Sequence, residues 1–336
     1  MVTIKDIARE SGYSISTVSR VLNHRTDVSP DAKKRIEEVV EQFHFVPNNN
    51  AKHLKQSNTK TIGILVKGIS NMLFANIVEE IQKMIEKTSY TIVVSYLDED
   101  DDEVQQARLL CRERKPLGLL FLGGNPQHYD KNFEKLDVPC VLVSNRANDI
   151  GFQNLSSVAT DDIEGACVAV EQLFLAGHEK IGVLGGKIGI SRTSNQRFKG
   201  IVKSFENHGK EFDVERCYET TRFSFSGAYD GTKRLLDKYP DLTAVFAMSD
   251  VMAIGAIRAL RDMNYRVPED VSVIGFDGTE LAEYYNPKLA TIKQQYQTLA
   301  TRSVEILFGQ IELKKEPIHE IVPFEVVSGE SIQIIK

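Results

Sequence analysis

The segment SGYSISTVSRVLN, residues 11–23, carries short hydroxyl side chains and one arginine at helical spacing. On a helix of about 100° per residue, its polar side chains share one face and its valine and leucine side chains share the opposite face. The polar residues are Ser16, Ser19, Arg20 and Asn23. Such a face suits the DNA major groove, because short side chains permit close approach and arginine can donate two hydrogen bonds to guanine. A solvated surface has the same composition, so both interpretations stay open for this helix alone.

Three short helices are expected to position this face. Thr3, with Asp6 three residues later, predicts a capping box for the first helix, and Gly12 suits its left-handed exit. Ser14 caps the second helix, and Ser29 before a proline begins the third. A tight turn containing glycine between two helices is typical of a helix-turn-helix. Ile15, at the start of the second helix, either contacts a thymine methyl or packs against the edge of this domain.

The charge of the chain is unevenly distributed. Residues 1–60 contain 10 Lys and Arg against 7 Asp and Glu, whereas the remainder contains 31 against 40. A basic amino-terminal segment joined to an acidic remainder is typical of proteins whose basic segment binds nucleic acid.

From Thr61 onward, apolar runs alternate with helical patterns. Uninterrupted apolar strands separated by helices predict parallel sheets covered on both faces. One series of runs is TIGILVKG, YTIVVSYL, PLGLLFLGG and VPCVLVSN, and a second series is KIGVLGG, TAVFAMSD and VSVIGFDG. Two series predict two doubly wound lobes.

Polar and aromatic residues follow these runs, where open α/β sheets bind ligands. They are Asn71, Phe74, Asp98, Asn145, Arg146, Asp161, Asn195, Arg197, Asp250 and Asp277. Carboxylates and arginine bind paired hydroxyls and an aromatic face covers C–H groups, so a polyol fits this set. The alternative for Asp161 and Asp250 is a helix cap or a surface ion pair.

The amino-terminal segments TIKDIARESGYSISTVSRVLN and VSPDAKKRIEEVVEQFHFVPNNNAKHL resemble the headpiece of the lactose/galactose repressor (LacI/GalR) family of bacterial transcription regulators. Farther along, SDVMAIGAIRAL, VSVIGFDGTELAEYYNPKLATIKQ and NQRFKGIVKSF resemble its effector-binding core. The resemblance implies an all-α headpiece and an α/β core of two periplasmic-binding-protein-like lobes with parallel sheets. The expected boundaries are 1–46 for the headpiece, 47–60 for a hinge helix and linker, 61–160 plus 294–322 for the N-lobe, and 161–293 plus 323–336 for the C-lobe.

In this family the hinge helix folds on DNA, with the residue matching Ala51 against the minor groove and the one matching Leu54 wedged between base pairs. A disordered tether is the alternative for this polar segment. The predicted DNA-contacting residues are Thr3, Ser14, Ile15, Ser16, Thr17, Ser19, Arg20, Asn23, Ser29, Asn48, Ala51, Lys52 and Leu54.

The resemblance also implies a small-molecule effector in the cleft between the lobes. The implied contact residues are Phe74, Arg146, Asn195, Arg197, Phe223, Asp250, Asp277, Gln294 and Tyr296. The chain is therefore expected to act as a homodimeric regulator, most simply a repressor, on a pseudo-palindromic operator. A sugar is the expected effector, but a nucleoside, a phosphorylated sugar or a protein corepressor stays open, as does whether the ligand releases or promotes DNA binding.

Other classes of protein fit the sequence less well. The start MVTIKDIARE has no apolar signal segment and no apolar run is long enough to span a membrane, so a cytoplasmic protein is expected. This disfavours an extracytoplasmic sugar receptor. P-loop, dinucleotide-binding and nucleophile-elbow motifs are absent, which disfavours an enzyme. The four cysteines lack metal spacing, so no metal site and no cofactor are predicted.

Overall fold

The computed structural model describes residues 2–22, 25, 27–43, 45, 60–68, 71–129 and 132–335. The chain forms two compact units, Met1–Thr59 and Lys60–Lys336. Part of the predicted DNA contact set lies outside the described residues, namely Asn23, Asn48, Ala51, Lys52 and Leu54.

The described part of the first unit folds into three helices, α1 (Ile4–Ser11), α2 (Ile15–Leu22) and α3 (Pro30–Gln42). The predicted caps are confirmed. Thr3 and Asp6 form a capping box, and Gly12 has a left-handed φ of 78°. The Ser14 hydroxyl accepts from the Thr17 amide at 3.2 Å, and Ser29 accepts from the Ala32 amide at 3.4 Å. These local bonds satisfy amides that would otherwise lack partners at each helix start.

The three helices enclose a small apolar core. Its fully buried members include Ile7 from α1, Val18 from α2 and Ile36 from α3. Val18 and Val21 thus point inward, as the helical angle predicts, and this fixes which face of α2 remains at the surface.

The N-lobe is built on one six-stranded sheet in the order β11-β5-β4-β3-β1-β2, with every pairing parallel. Its strands are β1 (Lys60–Lys67), β2 (Tyr90–Leu97), β3 (Gly118–Leu122), β4 (Cys140–Val143), β5 (Leu155–Thr160) and β11 (His319–Val322). Its helices are α4 (Met72–Ile85), α5 (Glu103–Arg114) and α12 (Tyr296–Leu313). Separate apolar clusters cover the two faces of the sheet, one formed with α4 and α12 and the other with α5.

The C-lobe is built on a second six-stranded sheet in the order β12-β10-β9-β8-β6-β7. Its strands are β6 (Ile181–Gly185), β7 (Tyr218–Thr220), β8 (Ala244–Ala247), β9 (Ser272–Asp277), β10 (Ala290–Gln294) and β12 (Phe324–Val327). Its helices are α6 (Asp162–Leu175), α7 (Arg192–Asn207), α8 (Val214–Cys217), α9 (Phe225–Lys238), α10 (Asp250–Asp262) and α11 (Glu280–Tyr284). Strand β12 pairs antiparallel with β10, so this sheet is predominantly rather than wholly parallel.

The chain passes between the lobes at three places. The first follows β5, the second lies between β10 and α12, and the third is Pro323 between β11 and β12. The predicted fold class, a helical headpiece with two α/β sheets, is confirmed. Within the described residues, no helix is both long and apolar enough to cross a bilayer.

Candidate functional site

The surface face of α2 presents the first group of predicted contact residues. Ser16 and Arg20 are exposed, and Arg20 has 60% of its side chain accessible with its guanidinium 3.6 Å from Asp27. An exposed ion pair of this kind is weak, so Arg20 can exchange it for another acceptor. Ile15 is 45% exposed and does not join the apolar core, which favours the groove-facing alternative over the packed one.

Hydroxyl groups cluster at the beginning of α2. The Ser14 oxygen lies 2.7 Å from the Ser16 oxygen and 2.8 Å from the Thr17 oxygen. A helix amino terminus attracts anions, because its amide groups and its dipole both favour negative charge. Thr3 and Ser29 instead use their side chains as caps of α1 and α3. Their contact with DNA, and that of Ser19, stays a prediction.

The second candidate site is a cleft between the lobes, at the carboxyl ends of β1, β3, β6, β9 and β10. It encloses a cavity of about 500 Å³, within the size range of ligand pockets. Two phenylalanines from opposite lobes line it, and each lies against a glycine. A Cβ atom on Gly123 would lie 3.2 Å from the Phe74 ring, and one on Gly186 would lie 2.8 Å from the Phe223 ring. The glycines therefore let both rings approach the strands.

Of the nine predicted effector residues, five line this cavity. They are Phe74, Arg197, Phe223, Asp277 and Gln294. The cavity therefore brings together two aromatic rings, a guanidinium, a carboxylate and an amide, which is the chemistry expected for a polyol ligand.

Asp277 is the most unusual of these residues. It is 2% exposed and has a φ of 123°, a region that non-glycine residues rarely adopt. Its Oδ1 accepts from the Gln294 amide at 2.8 Å, whereas its Oδ2 has no hydrogen-bond partner among the described residues. Burial raises the pKa of this carboxyl, against the opposing effect of Arg197. Strained, incompletely bonded polar groups are concentrated at ligand sites.

Arg197 is held from several directions. Its Nε donates to Asp162 Oδ1 at 2.8 Å, its Nη1 donates to the Met248 carbonyl, and its Nη2 lies 3.8 Å from Asp277 Oδ1. Its guanidinium also stacks 3.5 Å from the centre of the Phe276 ring. This guanidinium is 4% exposed, so its orientation is fixed before any ligand arrives.

The remaining four predicted residues do not line the cavity. The Asn195 side chain accepts from the Gly189 amide at 2.7 Å, and Arg146 lies 3.7 Å from Asp161 at a partly exposed position. Tyr296 packs against the N-lobe core. Asp250 is fully buried and accepts from the Thr279 amide at 2.6 Å. Effector contact by these four residues stays a prediction.

Asp250 and Asp161 differ although both lie at the start of a helix. Asp161 caps α6 by accepting from the Glu164 amide at 3.1 Å. Asp250 is not the cap of α10, because Ser249 fills that position. Its carboxylate instead accepts from the Thr279 amide and, at 2.6 Å, from the Thr291 hydroxyl, and so joins α10 to β10. Burial raises its pKa despite these bonds.

Contacts between the lobes around the cleft were missed by the sequence interpretation. Arg222 of the C-lobe donates to Asp98 of the N-lobe and lies 3.7 Å from Glu99 and 3.9 Å from Asp100. The Phe223 amide also donates to Glu99 at 3.1 Å. The acidic run that follows β2 could have indicated an ion pair at this position. Its partner Arg222, however, lies more than a hundred residues away in the sequence.

On another side of the cleft, Arg192 pairs with Asp149, Thr193 donates to Asn145 at 3.2 Å and Gln127 donates to the Gly189 carbonyl at 2.9 Å. These contacts join the lobes through the protein's own side chains and backbone.

A buried charged group beside the cavity was also missed. Lys67 lines the cavity and its Nζ lies 2.7 Å from Glu103 Oε2, which also lies 2.7 Å from His128 Nδ1. Asp102, Glu103 and His128 come close enough together to ligate a metal. The Lys67 ammonium already supplies a positive charge to Glu103, so this group is accounted for as an ion-pair cluster.

Comparisons with known proteins agree with the two units. The family model for "Bacterial regulatory proteins, lacI family" matches residues 3–48, and the model for "Periplasmic binding protein-like domain" matches residues 170–332. The chain is 36% identical to the HTH-type transcriptional regulator MalR of Clostridium butyricum, over 98% of this chain and 99% of that protein. It is 30% identical to the ribose operon repressor of Haemophilus influenzae, over 96% of each chain.

Among solved structures, the transcriptional regulator CelR in complex with cellobiose has a TM-score of 0.72 at 25% identity, covering 98% of this chain and 100% of that one. The curated relatives above are named as a transcriptional regulator and a repressor. The prediction that this chain is a regulator and not an enzyme is therefore confirmed.

Proposed function

Because the chain belongs to the lacI family of bacterial regulatory proteins, we propose that its amino-terminal unit reads an operator through α2 and that its cleft binds a small effector. The family resemblance found in the sequence is confirmed, and the chain is a DNA-binding transcription repressor with a ligand-binding core. We assign 1–46 to operator recognition, 47–60 to the hinge and 61–336 to effector binding and dimerisation.

For operator recognition, the supporting observation is the exposed polar face of α2. Arg20 forms a weak surface pair with Asp27, and Ser16 and Ile15 are also exposed on this helix. We assign base contact to these residues and phosphate contact to the hydroxyls at the start of the helix. The hinge residues named in the sequence analysis complete the proposed interface.

For effector binding, the observation that carries the proposal is the Oδ2 of Asp277, which has no hydrogen-bond partner in the part of the chain that the structure describes. A buried carboxyl oxygen without a hydrogen-bond partner is unfavourable, and a ligand hydroxyl in the cavity, which can donate or accept, would supply that partner. Phe74 and Phe223 line the same cavity from the two lobes and offer faces for a sugar ring. The relatives named for ribose and found with cellobiose make a sugar the first class to test.

We further propose that two copies act together, since two recognition helices related by a two-fold axis match a pseudo-palindromic operator. Ligand binding changes the closure of the cleft and hence the spacing of the two hinges. The coupling must be reciprocal, so operator DNA changes effector affinity by the same factor. A regulator that acts on the bacterial chromosome is expected in the cytoplasm, which cell fractionation would test.

The direct test is selection of duplexes from a random-sequence pool by the purified full-length protein. The selection is repeated with a panel of sugars and nucleosides that has first been screened by thermal shift, because a ligand of the folded state raises its melting temperature. We expect a palindromic consensus and at least one ligand that changes operator affinity. Protein that enriches no sequence under any condition would contradict the proposal.

A further inference from the structure

We propose that the cleft selects an uncharged polar ligand and rejects its phosphorylated counterpart, because the protein's own carboxylates neutralise the cations that line it. This inference rests on the proposed function, since it concerns the effector of the same cleft. It narrows the possible effectors, because the sequence analysis expected a sugar but left a phosphorylated sugar open.

The two innermost cations are each paired with a buried carboxylate. The side chains of Lys67 and Arg197 are 9% and 4% exposed. The Lys67 ammonium lies 2.7 Å from the buried carboxylate of Glu103. The Arg197 guanidinium lies 2.8 Å from the buried carboxylate of Asp162. Removing either cation from its buried partner leaves an uncompensated carboxylate, which is strongly unfavourable. These cations are therefore poor partners for a ligand phosphate.

The outer cations are paired as well. Arg222 faces three carboxylates of the other lobe, and Arg234 lies 2.7 Å from Glu219. Lys187 is exposed where it lines the cavity, so water and salt screen it, and the exposed carboxylate of Asp230 lines the same cavity. Phosphate sites are normally built from several converging cations, and these side chains do not form one.

An acidic run adds negative charge at the mouth of the cleft, where Glu99 and Asp100 line the cavity. Residues 98–103 are six consecutive acidic residues, DEDDDE, and within the described part of the chain this run pairs with Arg222 and Lys67, with His128 beside Glu103. A phosphate group entering here meets like charges, whereas a neutral hydroxyl does not. Inside, Asn71, Asn125, Thr193 and Gln294 offer uncharged polar side chains for hydroxyl groups.

The test compares matched pairs at constant ionic strength. Glucose, maltose and uridine are each titrated against the full-length protein beside their phosphate esters, with binding followed by calorimetry. We expect a neutral member to bind and its ester to bind at least about tenfold more weakly, a difference of about 1.4 kcal/mol. An ester that binds more tightly than its parent overturns the inference and leaves the proposed effector function intact.

A charge variant makes the test specific to the mouth of the cleft. The double variant Asp98→Asn with Asp100→Asn releases Arg222 from two of its carboxylates. We expect it to improve ester binding relative to the neutral parent by about two- to fivefold, the scale of exposed charge interactions. The control, Glu134→Gln with Asp137→Asn, removes the same charge from exposed N-lobe positions that do not line the cavity and should leave the ratio unchanged. Equal changes in both variants would overturn the inference.

Inorganic phosphate is the third probe, because its binding does not depend on whether a sugar fits the cavity. Phosphate binding that is lost in Lys67→Gln or in Arg222→Gln overturns the inference. No phosphate binding, or binding that both variants retain, supports it even if no sugar or nucleoside of the panel binds. That last result would count against the proposed effector function alone.

Discussion

Two arginines show how differently the two candidate sites are prepared for their ligands. Arg20 on α2 is mostly exposed and, among the described side chains, pairs with Asp27 alone, at 3.6 Å. Arg197 in the cleft is buried and meets Asp162, the Met248 carbonyl and the Phe276 ring. The first side chain is available to a partner and contributes little to folding, whereas the second is preorganised and supports the fold around it. A surface that reads DNA and a cleft that encloses a small molecule thus place the same functional group in opposite environments.

The largest expected difference between the two arginines is in the free energy of unfolding that is lost when each is replaced. Arg197→Ala should destabilise the core by about 3–5 kcal/mol, because Asp162 is left buried without its cation. Urea unfolding of the full-length protein measures the change. Arg20→Ala is the matched control, expected within about 0.5 kcal/mol of wild type. Equal stability of the two variants would contradict the proposed difference between the sites.

The second effect is on DNA binding. Arg20→Ala should weaken binding to the selected operator by about 1–3 kcal/mol and relax discrimination at one base pair. Fluorescence anisotropy with the operator and with random duplex measures both quantities. Equal weakening on the two duplexes would assign Arg20 to phosphate contact instead of base contact.

The third effect concerns Asp277. Burial raises its folded-state pKa to about 8, so folding at neutral pH takes up a proton at this carboxyl. The resulting cost is full above about pH 8 and shrinks as the pH falls from there toward the ordinary value of 3.8. Asp277→Asn should therefore stabilise the core at neutral pH by on the order of 1 kcal/mol, with a gain that shrinks in acid. Thermal unfolding across pH measures this, and the same variant should lose its response to the effector.

Asp270→Asn is the control, because the pKa of Asp270 is shifted in the opposite direction. Hydrogen bonds from Arg266 lower the pKa of Asp270 to about 2, so its carboxylate favours folding and its removal should not stabilise the protein. An Asp277→Asn variant that is less stable than wild type at neutral pH would contradict the account of this residue.

The smallest effect involves His178, which is buried between the Thr243 hydroxyl and the Gln333 carbonyl. Burial lowers its pKa below the ordinary 6.5, so its contribution to stability is present above that value and is lost as the pH falls below it. His178→Asn should reduce the stability difference between neutral pH and about pH 5.5 by under about 1 kcal/mol. An unchanged difference in thermal unfolding would show that His178 does not titrate in this range.

Local signals allowed much of the headpiece to be predicted from the sequence. Caps such as Thr3 and Ser14 depend on residues three positions away, and the two faces of α2 follow from helical geometry. The apolar strands of both lobes were equally visible. Five strands were not predicted, because their polar and charged residues lack a buried-strand pattern: β5 (LSSVAT), β7 (YET), β10 (ATIKQ), β11 (HEIV) and β12 (FEVV).

The cleft depends on long-range packing and was predicted less completely. The family resemblance named Phe74, Arg197, Phe223, Asp277 and Gln294, which line the cavity. It did not name Lys67 or Arg222, whose carboxylate partners come from distant parts of the chain. Residue types alone do not reveal such pairings, because any of the many acidic residues satisfies a lysine or an arginine.

The N-lobe sheet takes its outer strand, β11, from residues 319–322, although β5, the strand it pairs with, ends at Thr160. Helix α12, which covers one face of that sheet, also comes from the far end of the chain. At synthesis rates of about 5–20 residues per second, the ribosome therefore needs roughly 8–30 seconds after making β5 before β11 is available. During that interval β5 is an edge strand whose unpaired backbone groups can bind other nascent chains. Slower translation of the C-lobe should thus increase aggregation of newly made protein without altering the stability of the finished molecule.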